Sequence, residues 1–223
     1  MEENGIFVTQ DGSHSIQSAQ YGVSYHSKYG AVQESQHVFL SAGLHPKMLE
    51  QAEVQVLETG LGTGLNALLT RLEADRRQLP VYYTALEAYP ITTEQARSLN
   101  YPEQLQLADA SAFLRLHELP WETPHRLSDY FTFTKQQIQF ENMAFDQAFD
   151  LVYFDAFAPT AQPELWEMVV LERVYKAMAP GALFVTYCAK GAVKRALKNL
   201  GLEVESLKGP PGKREMTRAR KPA

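Results

Sequence analysis

The chain has 223 residues, 45% of them hydrophobic, and a formal net charge of -5. This length can bury one full core, and no apolar run approaches the roughly 20 residues that a membrane span requires. Its single cysteine, Cys188, excludes an internal disulfide, and no His/Cys group has metal-site spacing. We therefore expect a cytoplasmic protein with no membrane partner and no metal.

The charges are unevenly distributed along the sequence. Residues 190–223 contain ten Lys or Arg and three acidic residues, which gives this tail a net charge of +7 and leaves -12 on the rest. A basic end on an acidic body favours a polyanionic partner. A solvated basic helix and terminus would give the same pattern, so charge alone leaves both interpretations open.

Residues 1–50 precede the regular alternation of secondary structure. They predict a small N-terminal cap, with a hairpin around Asp11-Gly12 and a helix over residues 31–40. Residues 51–223 are predicted to form the main domain, and the two parts together form one compact unit.

From residue 51 onward, β-branched and aromatic runs alternate with segments of helical periodicity. The predicted strands are 53–57, 81–86, 136–140, 151–154, 182–187, 202–207 and 215–219. The predicted helices are 64–76, 92–99, 109–119, 163–178 and 192–200, and Pro180-Gly181 is expected to stop the fourth of them.

This alternation predicts an α/β fold with a mostly parallel sheet covered by helices on both faces. The last two predicted strands are separated only by GPPGK, so they are expected to pair antiparallel. A seven-stranded, mostly parallel sheet with an antiparallel last strand is typical of the Rossmann-like class I methyltransferases that use S-adenosylmethionine.

A glycine loop, LETGLGTGLN over residues 57–66, follows the first strand of this sheet. The dinucleotide fingerprint G-x-G-x-x-G fits poorly, because Leu65 or Ala67 stands where the third glycine belongs. The pattern E-x-G-x-G-x-G is instead typical of a loop that binds S-adenosylmethionine. Glycines let the backbone pass close beneath that ligand, the helix start can meet its carboxylate, and Glu58 can reach its ammonium directly or through water. The candidate cofactor-binding residues here are Glu58, Gly60, Gly62, Gly64 and Asn66.

Two further acids end predicted strands. Glu87 follows VYYTAL, where a carboxylate can accept hydrogen bonds from a ribose diol. That contact suits NAD as well as S-adenosylmethionine, so it indicates a nucleoside without choosing between them.

Asp155 follows LVYF and is expected to lie beside the methyl donor, with Phe157 and Pro159 as an apolar wall. Asp155 could orient an amine substrate and accept its proton, so it is the candidate catalytic residue as well as a cofactor contact.

Five blocks carry a resemblance to a known family. The chain resembles the methyltransferase half of the bifunctional tRNA 5-methylaminomethyl-2-thiouridine biosynthesis proteins, the MnmC family. The DAFAPTAQPELW block with the late KREM is the most specific part of the match. The matching blocks are Tyr25–Leu40, Glu58–Asn66, Leu86–Thr92, Tyr153–Trp166 and Gly209–Ala219.

The resemblance implies methylation, from S-adenosylmethionine, of the primary amine of 5-aminomethyl(-2-thio)uridine at the wobble position of tRNA. The bifunctional relatives carry a second, FAD-dependent half, for which this chain has no room. The resemblance is therefore to the stand-alone form, which uses no FAD and takes its aminomethyl substrate from a separate enzyme. Family members often carry an acid that contacts adenine, and here Gln139, Glu141 and Asn142 all remain candidates.

A tRNA partner gives the basic tail and several aromatic residues a possible role. Lys213 and Arg214 lie in the turn between the last two strands, where they can meet phosphates. Aromatic rings can stack on a splayed wobble base, although simple packing within the cap explains the tyrosines equally well. The candidate aromatic residues are Tyr25, His26, Tyr29 and Phe157.

Three alternatives compete with this interpretation. An NAD-dependent oxidoreductase is disfavoured by the missing third glycine and the antiparallel strand pair. A non-catalytic RNA-binding protein of the same fold is disfavoured by the presence of Glu58, Glu87 and Asp155. A methyltransferase acting on another amine is disfavoured only by the basic tail.

Overall fold

The computed structural model describes residues 5–223, and the first four residues of the predicted cap lie outside the described residues. The cap begins with an antiparallel hairpin of β1 (Ile6–Val8) and β2 (His14–Ile16), which confirms the hairpin predicted around Asp11-Gly12. A continuous helical segment follows, and it extends beyond the predicted end at residue 40. It consists of α1 (Ala31–Ser35), a π-helix (Gln36–Leu44) and α2 (His45–Glu50).

The main domain contains one eight-stranded sheet with helices on both faces. Its strands are β3 (Val54–Thr59), β4 (Val81–Leu86), β5 (His125–Arg126), β6 (Phe131–Gln136), β7 (Phe149–Phe154), β8 (Met178–Thr186), β9 (Glu203–Lys208) and β10 (Glu215–Arg220). Its α-helices are α3 (Leu65–Arg77), α4 (Thr93–Arg97), α5 (Tyr101–Gln104), α6 (Ser111–Glu118), α7 (Met168–Ala177) and α8 (Gly191–Asn199).

The strand order is β5-β6-β4-β3-β7-β8-β10-β9. The five strands from β6 to β8 are parallel, whereas β10 pairs antiparallel with both β8 and β9. The predicted α/β class and the antiparallel last strand are therefore confirmed. The short GPPGK connection places β10 back between β8 and β9, so β10 lies inside the sheet and β9 forms its edge.

The third strand of the main domain was predicted in the wrong place. Residues 136–140 were expected to form it, but the strand is Phe131–Gln136, followed by a 3-10 turn over Phe140–Asn142. The alternation FTFT, with Phe131 and Phe133 buried, carries the period-2 pattern of a half-buried strand. The two-residue edge strand β5 was not predicted, and it raises the strand count from seven to eight.

The helix predicted over 163–178 is interrupted. A 3-10 turn over Pro163–Trp166 precedes α7, and Pro180-Gly181 lies inside β8 instead of stopping a helix. The pairing of β8 with β7 shifts register between Phe149 and Leu151, and Gly181 has φ +76°. These features form a bulge, which accommodates a proline and a left-handed glycine within a strand.

The cap helices pack directly on the sheet. The Phe39 and Tyr153 rings lie 5.0 Å apart, and a Cβ on Gly43 would lie 3.1 Å from side-chain atoms of both Leu151 and Val185. The buried cluster is continuous between cap and sheet. Within residues 5–223, no helix combines the length and hydropathy needed to cross a bilayer.

Candidate active site

A cavity of about 410 Å³ lies at the carboxyl ends of β3, β4 and β7, beneath the cap segment, which we define as residues 18–34. These strands are neighbours in the sheet, so the residues that follow them meet at one edge, where open parallel sheets bind ligands. The polar side chains lining the cavity include Tyr21, Tyr25, His26, Glu34, Asn66, Glu87, Gln139, Glu141, Asp155, Gln162, Glu164, Tyr187 and Lys213.

The three loop glycines have positive φ angles, and side chains would not fit at any of them. A Cβ on Gly60 (φ +93°) would lie 2.9 Å from the Asp155 carbonyl oxygen, and one on Gly62 (φ +49°) 3.0 Å from the Tyr25 ring. A Cβ on Gly64 (φ +76°) would lie 2.9 Å from His117 Nε2. Gly60 and Gly62 line the cavity, whereas Gly64 turns the chain into α3.

Glu87 fixes this loop from the end of β4. Its two carboxylate oxygens accept hydrogen bonds from the backbone N–H groups of Gly62 and Tyr89, each at 2.9 Å. Glu87 also lines the cavity, and a carboxylate oxygen can accept a second hydrogen bond. It therefore both shapes the glycine loop and remains available to a ribose.

Asn66 joins the glycine loop to the end of β7. Its Nδ2 donates to Glu58 Oε1 at 2.9 Å and to Asp155 Oδ2 at 2.8 Å. Glu58 is fully buried and lies outside the cavity lining, so it supports Asn66. The Asn66 side chain lines the cavity, and its Oδ1 has no hydrogen-bond partner within the described chain. A buried acceptor of this kind fits a ligand that brings N–H donors, such as an ammonium group.

Burial changes the acidity of both carboxyl groups. It raises the pKa of Asp155 to about 7, with a further increase from the negative charge of Glu34, and the Asn66 hydrogen bond and Lys213 oppose it. Burial also raises the pKa of Glu58 well above its usual value. A carboxyl group with a pKa near neutrality can exchange a proton with a substrate, as a general base must.

The predicted aromatic residues fall into two groups. Phe157 and Tyr25 line the cavity with their ring centroids 5.0 Å apart, and the Tyr21 ring centroid also lies 5.0 Å from that of Phe157. His26 also lines the cavity, but it is 8% exposed, and this burial disfavours stacking. Tyr29 lies outside the lining and packs over Gly212 of the β9–β10 turn, so its position favours cap packing.

Lys213 and Arg214 are separated by the fold although they are adjacent in sequence. Lys213 Nζ points into the cavity, where it pairs with Glu34 and lies 3.8 Å from the centroid of the Tyr187 ring. Arg214 is exposed on the turn. Much of the basic tail is likewise engaged within the chain, with ion pairs Lys194–Glu215, Arg218–Glu205 and Arg220–Glu50. The tail therefore offers RNA fewer available cations than its sequence charge suggests.

The adenine candidates are also separated. Gln139 and Glu141 line the cavity, whereas Asn142 does not. Sequence analysis did not select Glu34, Tyr187, Tyr21 or Gln162, all of which line the cavity. Glu34 and Tyr21 belong to the cap and have no local motif, and only the tertiary contact with the sheet brings them to the site.

The residues present fit S-adenosylmethionine. Gly60, Gly62 and the start of α3 would hold its amino-acid end. Glu87 would bind the ribose, and the Phe140 side chain, which also lines the cavity, would contact the base. The mixed polar and apolar lining suits a zwitterionic nucleoside ligand.

Comparison with known proteins agrees with this assignment. The model of a family described as S-adenosyl-L-methionine-dependent methyltransferase matches residues 130–222. The chain is 31% identical over 217 residues to the bifunctional MnmC protein of Pseudoalteromonas atlantica, an alignment that covers 86% of this chain and 30% of that protein. It is 32% identical over 236 residues to MnmC of a Marinomonas species, which covers 97% of this chain and 34% of that protein. The chain thus spans about a third of the length of these relatives.

Solved structures give the same result. MNMC2 from Aquifex aeolicus has a TM-score of 0.74 and 25% identity, with 100% of this chain and 73% of that chain covered. The CurJ carbon methyltransferase, at a TM-score of 0.50 and 15% identity, shares the fold over 89% of this chain and 57% of its own. The chain belongs to the S-adenosyl-L-methionine-dependent methyltransferases and corresponds to the methyltransferase part of the MnmC proteins.

Proposed function

We propose that this protein methylates the primary amine of 5-aminomethyl(-2-thio)uridine at the tRNA wobble position and yields 5-methylaminomethyl(-2-thio)uridine. The observation that carries the proposal is the position of Asp155, which lines the cavity beside the glycine loop and has a pKa raised to about 7 by burial. Similarity to MnmC proteins along nearly the whole chain supports the same substrate.

Asp155 is the residue proposed to act on the amine. An amine at neutral pH is mostly an ammonium, which has no lone pair. The Asp155 carboxylate can orient the nitrogen and take its proton, while Asn66 holds that carboxylate through a 2.8 Å hydrogen bond. Phe157 and Tyr25 provide an aromatic wall against which a splayed pyrimidine can stack. When bound, S-adenosylmethionine supplies an electrophilic methyl group on a sulfonium.

The wider context of the reaction is also proposed. We propose that a separate enzyme supplies the aminomethyl nucleoside and that no FAD takes part in the reaction of this chain. The partner is then tRNA, and the cytoplasm is the expected location because tRNA is modified there.

The test is nucleoside analysis by mass spectrometry after incubation with isotopically labelled S-adenosylmethionine. We expect label in 5-methylaminomethyl(-2-thio)uridine when the tRNA carries 5-aminomethyl(-2-thio)uridine. A matched tRNA with the carboxymethylaminomethyl form should stay unlabelled, and Asp155→Asn is the negative control. Label in another nucleoside, or in a small amine but not in tRNA, would reject the proposed substrate.

A further inference from the structure

The cap contributes a second carboxylate to the cavity that contains Asp155. Glu34, on α1, is 6% exposed and lines this cavity. Its Oε2 accepts a hydrogen bond from the Ser27 backbone N–H at 2.8 Å, and its Oε1 accepts one from Lys213 Nζ at 2.5 Å. These contacts compensate for burial of the charge and hold the carboxylate at a fixed place.

Lys213 connects Glu34 to the segment that carries Asp155. Its ammonium lies over the Tyr187 ring, and the Tyr187 hydroxyl donates to the Ala156 carbonyl oxygen at 2.8 Å. Ala156 is the residue after Asp155. The charge of Glu34 raises the pKa of Asp155 and that of Lys213 lowers it, so both charges act on the Asp155 carboxyl group.

The charged groups at this end of the cavity can accommodate an additional positive charge. The groups that face Lys213 are Glu34 from α1, His26 from the cap, Asp155 after β7, and Tyr187 and Cys188 after β8. Burial lowers the pKa of His26 to about 4 and raises those of Tyr187 and Cys188, so these three are neutral near pH 7. When Asp155 is ionised, two carboxylates face one ammonium, which leaves a net negative charge.

His26 lines the same cavity and carries a ring nitrogen without a hydrogen-bond partner in the described residues. His26 is 92% buried, and its Nδ1 makes no hydrogen bond within residues 5–223. A buried ring nitrogen without a partner is unusual in a folded protein. A substrate that places an ammonium between the carboxylates of Glu34 and Asp155 would balance the negative charge at this end of the cavity.

We propose that Glu34 and Asp155 together form the amine subsite, in which Glu34 binds the substrate's ammonium and Asp155 accepts its proton. This inference rests on the proposed function, because it takes a primary amine as the substrate. Loss of the proton to Asp155 frees the nitrogen lone pair. That pair forms the new N–C bond as the C–S bond of the sulfonium breaks, with its electrons kept by sulfur. The product leaves as a secondary ammonium, and Asp155 returns its proton to water.

The first test measures binding without any methyl donor. Two anticodon stem-loop RNAs are compared, one with 5-aminomethyluridine and one with uridine at the wobble position. Glu34→Gln should reduce the preference for the aminomethyl RNA about tenfold or more, and it should leave the affinities for uridine RNA and S-adenosylmethionine unchanged. Glu172→Gln removes the same charge from the exposed face of α7 and should change neither affinity.

The second test measures the pH dependence of kcat/KM. Removing the negative neighbour lowers the pKa of Asp155, so Glu34→Gln should move the acid limb about one unit to lower pH. Lys213→Gln removes the opposing positive charge and should move the same limb to higher pH. If Glu34 and Lys213 had only a structural role, the two variants would not shift the acid limb in opposite directions. Lys213→Gln remains informative if Glu34→Gln does not fold.

The outcomes separate this inference from the proposed function. If the wild-type protein binds both RNAs equally and methylates neither, the proposed function is rejected and the subsite with it. If the wild-type protein discriminates but Glu34→Gln keeps the full preference and an unmoved acid limb, only the subsite is rejected.

Discussion

The side-chain amide of Asn66 donates a 2.8 Å hydrogen bond to the carboxylate of Asp155, across 89 positions in the sequence. The same nitrogen also donates to Glu58, so one amide group supports two carboxyl groups. Because neither carboxyl group has a cation as its direct partner within residues 5–223, the position of Asp155 depends on this amide.

Asn66→Leu should therefore destabilise the protein. The substitution keeps the number and branching of the side-chain heavy atoms but leaves Glu58 and Asp155 without a shared donor, at a cost of about 1–3 kcal/mol. It should also raise the pKa of Asp155 further, which moves the acid limb of kcat/KM to higher pH. Chemical denaturation and a pH–rate profile measure these effects. An unchanged limb in a folded variant would contradict the role of Asn66.

Gly62→Val should abolish S-adenosylmethionine binding. A branched residue is strained at φ +49°, and its Cβ would lie 3.0 Å from the Tyr25 ring that closes this side of the cavity. Calorimetry measures the affinity. Gly181→Val is the matched control, because Gly181 has φ +76° but nothing within 4 Å of the Cβ position. Equal loss of S-adenosylmethionine binding in both variants would mean that backbone strain causes the loss, and not the contact with the cavity wall.

Asp155→Asn should retain S-adenosylmethionine binding and lower turnover on the order of a hundredfold or more, the scale of a positioned acid–base group. In the wild-type protein the rate should rise with pH through about 7, as Asp155 loses its proton. Higher pH supplies more free amine and should partly restore the variant. Steady-state kinetics from pH 6 to 9 test these expectations. If Asp155→Asn turned over at the wild-type rate at neutral pH, Asp155 would not be the residue that accepts the proton.

The same variant should be more stable than the wild-type protein at neutral pH. The pKa of Asp155 is raised from 3.8 to about 7 in the folded state, so its contribution to stability is present below pH 3.8 and is lost as pH rises to 7. The advantage of Asp155→Asn should therefore grow by about 2 kcal/mol between pH 5 and 8 and level off above 7. Urea denaturation across this range measures it, and a pH-independent difference would contradict the raised pKa.

Lys213 and Arg214 should have different effects on tRNA binding. Arg214 is exposed on the turn, so Arg214→Ala should lower the slope of log K against log salt by about 0.7–0.9 and leave S-adenosylmethionine affinity unchanged. Lys213 is paired with Glu34, so Lys213→Ala should disturb the cavity and leave the salt slope near its wild-type value. Filter-binding titrations at several salt concentrations separate the two. A reduced salt slope for Lys213→Ala would contradict this expectation and would mean that Lys213 contacts a phosphate.

The sequence alone predicted the parts of this site that lie in the loops directly after the sheet strands. The glycine loop depends on positive φ at three alternate positions, and the placement of Glu87 and Asp155 depends on where buried strands end. The conformation of the loop and the ends of the strands are local properties, each encoded by a segment of about ten residues. The third strand was misplaced because FTFT and QIQF carry similar short-range signals, and only pairing with β4 favours the first.

The tertiary structure alone decided which residues meet across the cavity. Glu34 and Lys213 are 179 positions apart, and their contact requires β10 to lie between β8 and β9 and the cap helices to pack on the sheet. The same packing buried His26 and set Tyr29 on Gly212. No local pattern encodes such a contact, because the charges and rings that form it are distant in the sequence and meet only in the folded chain.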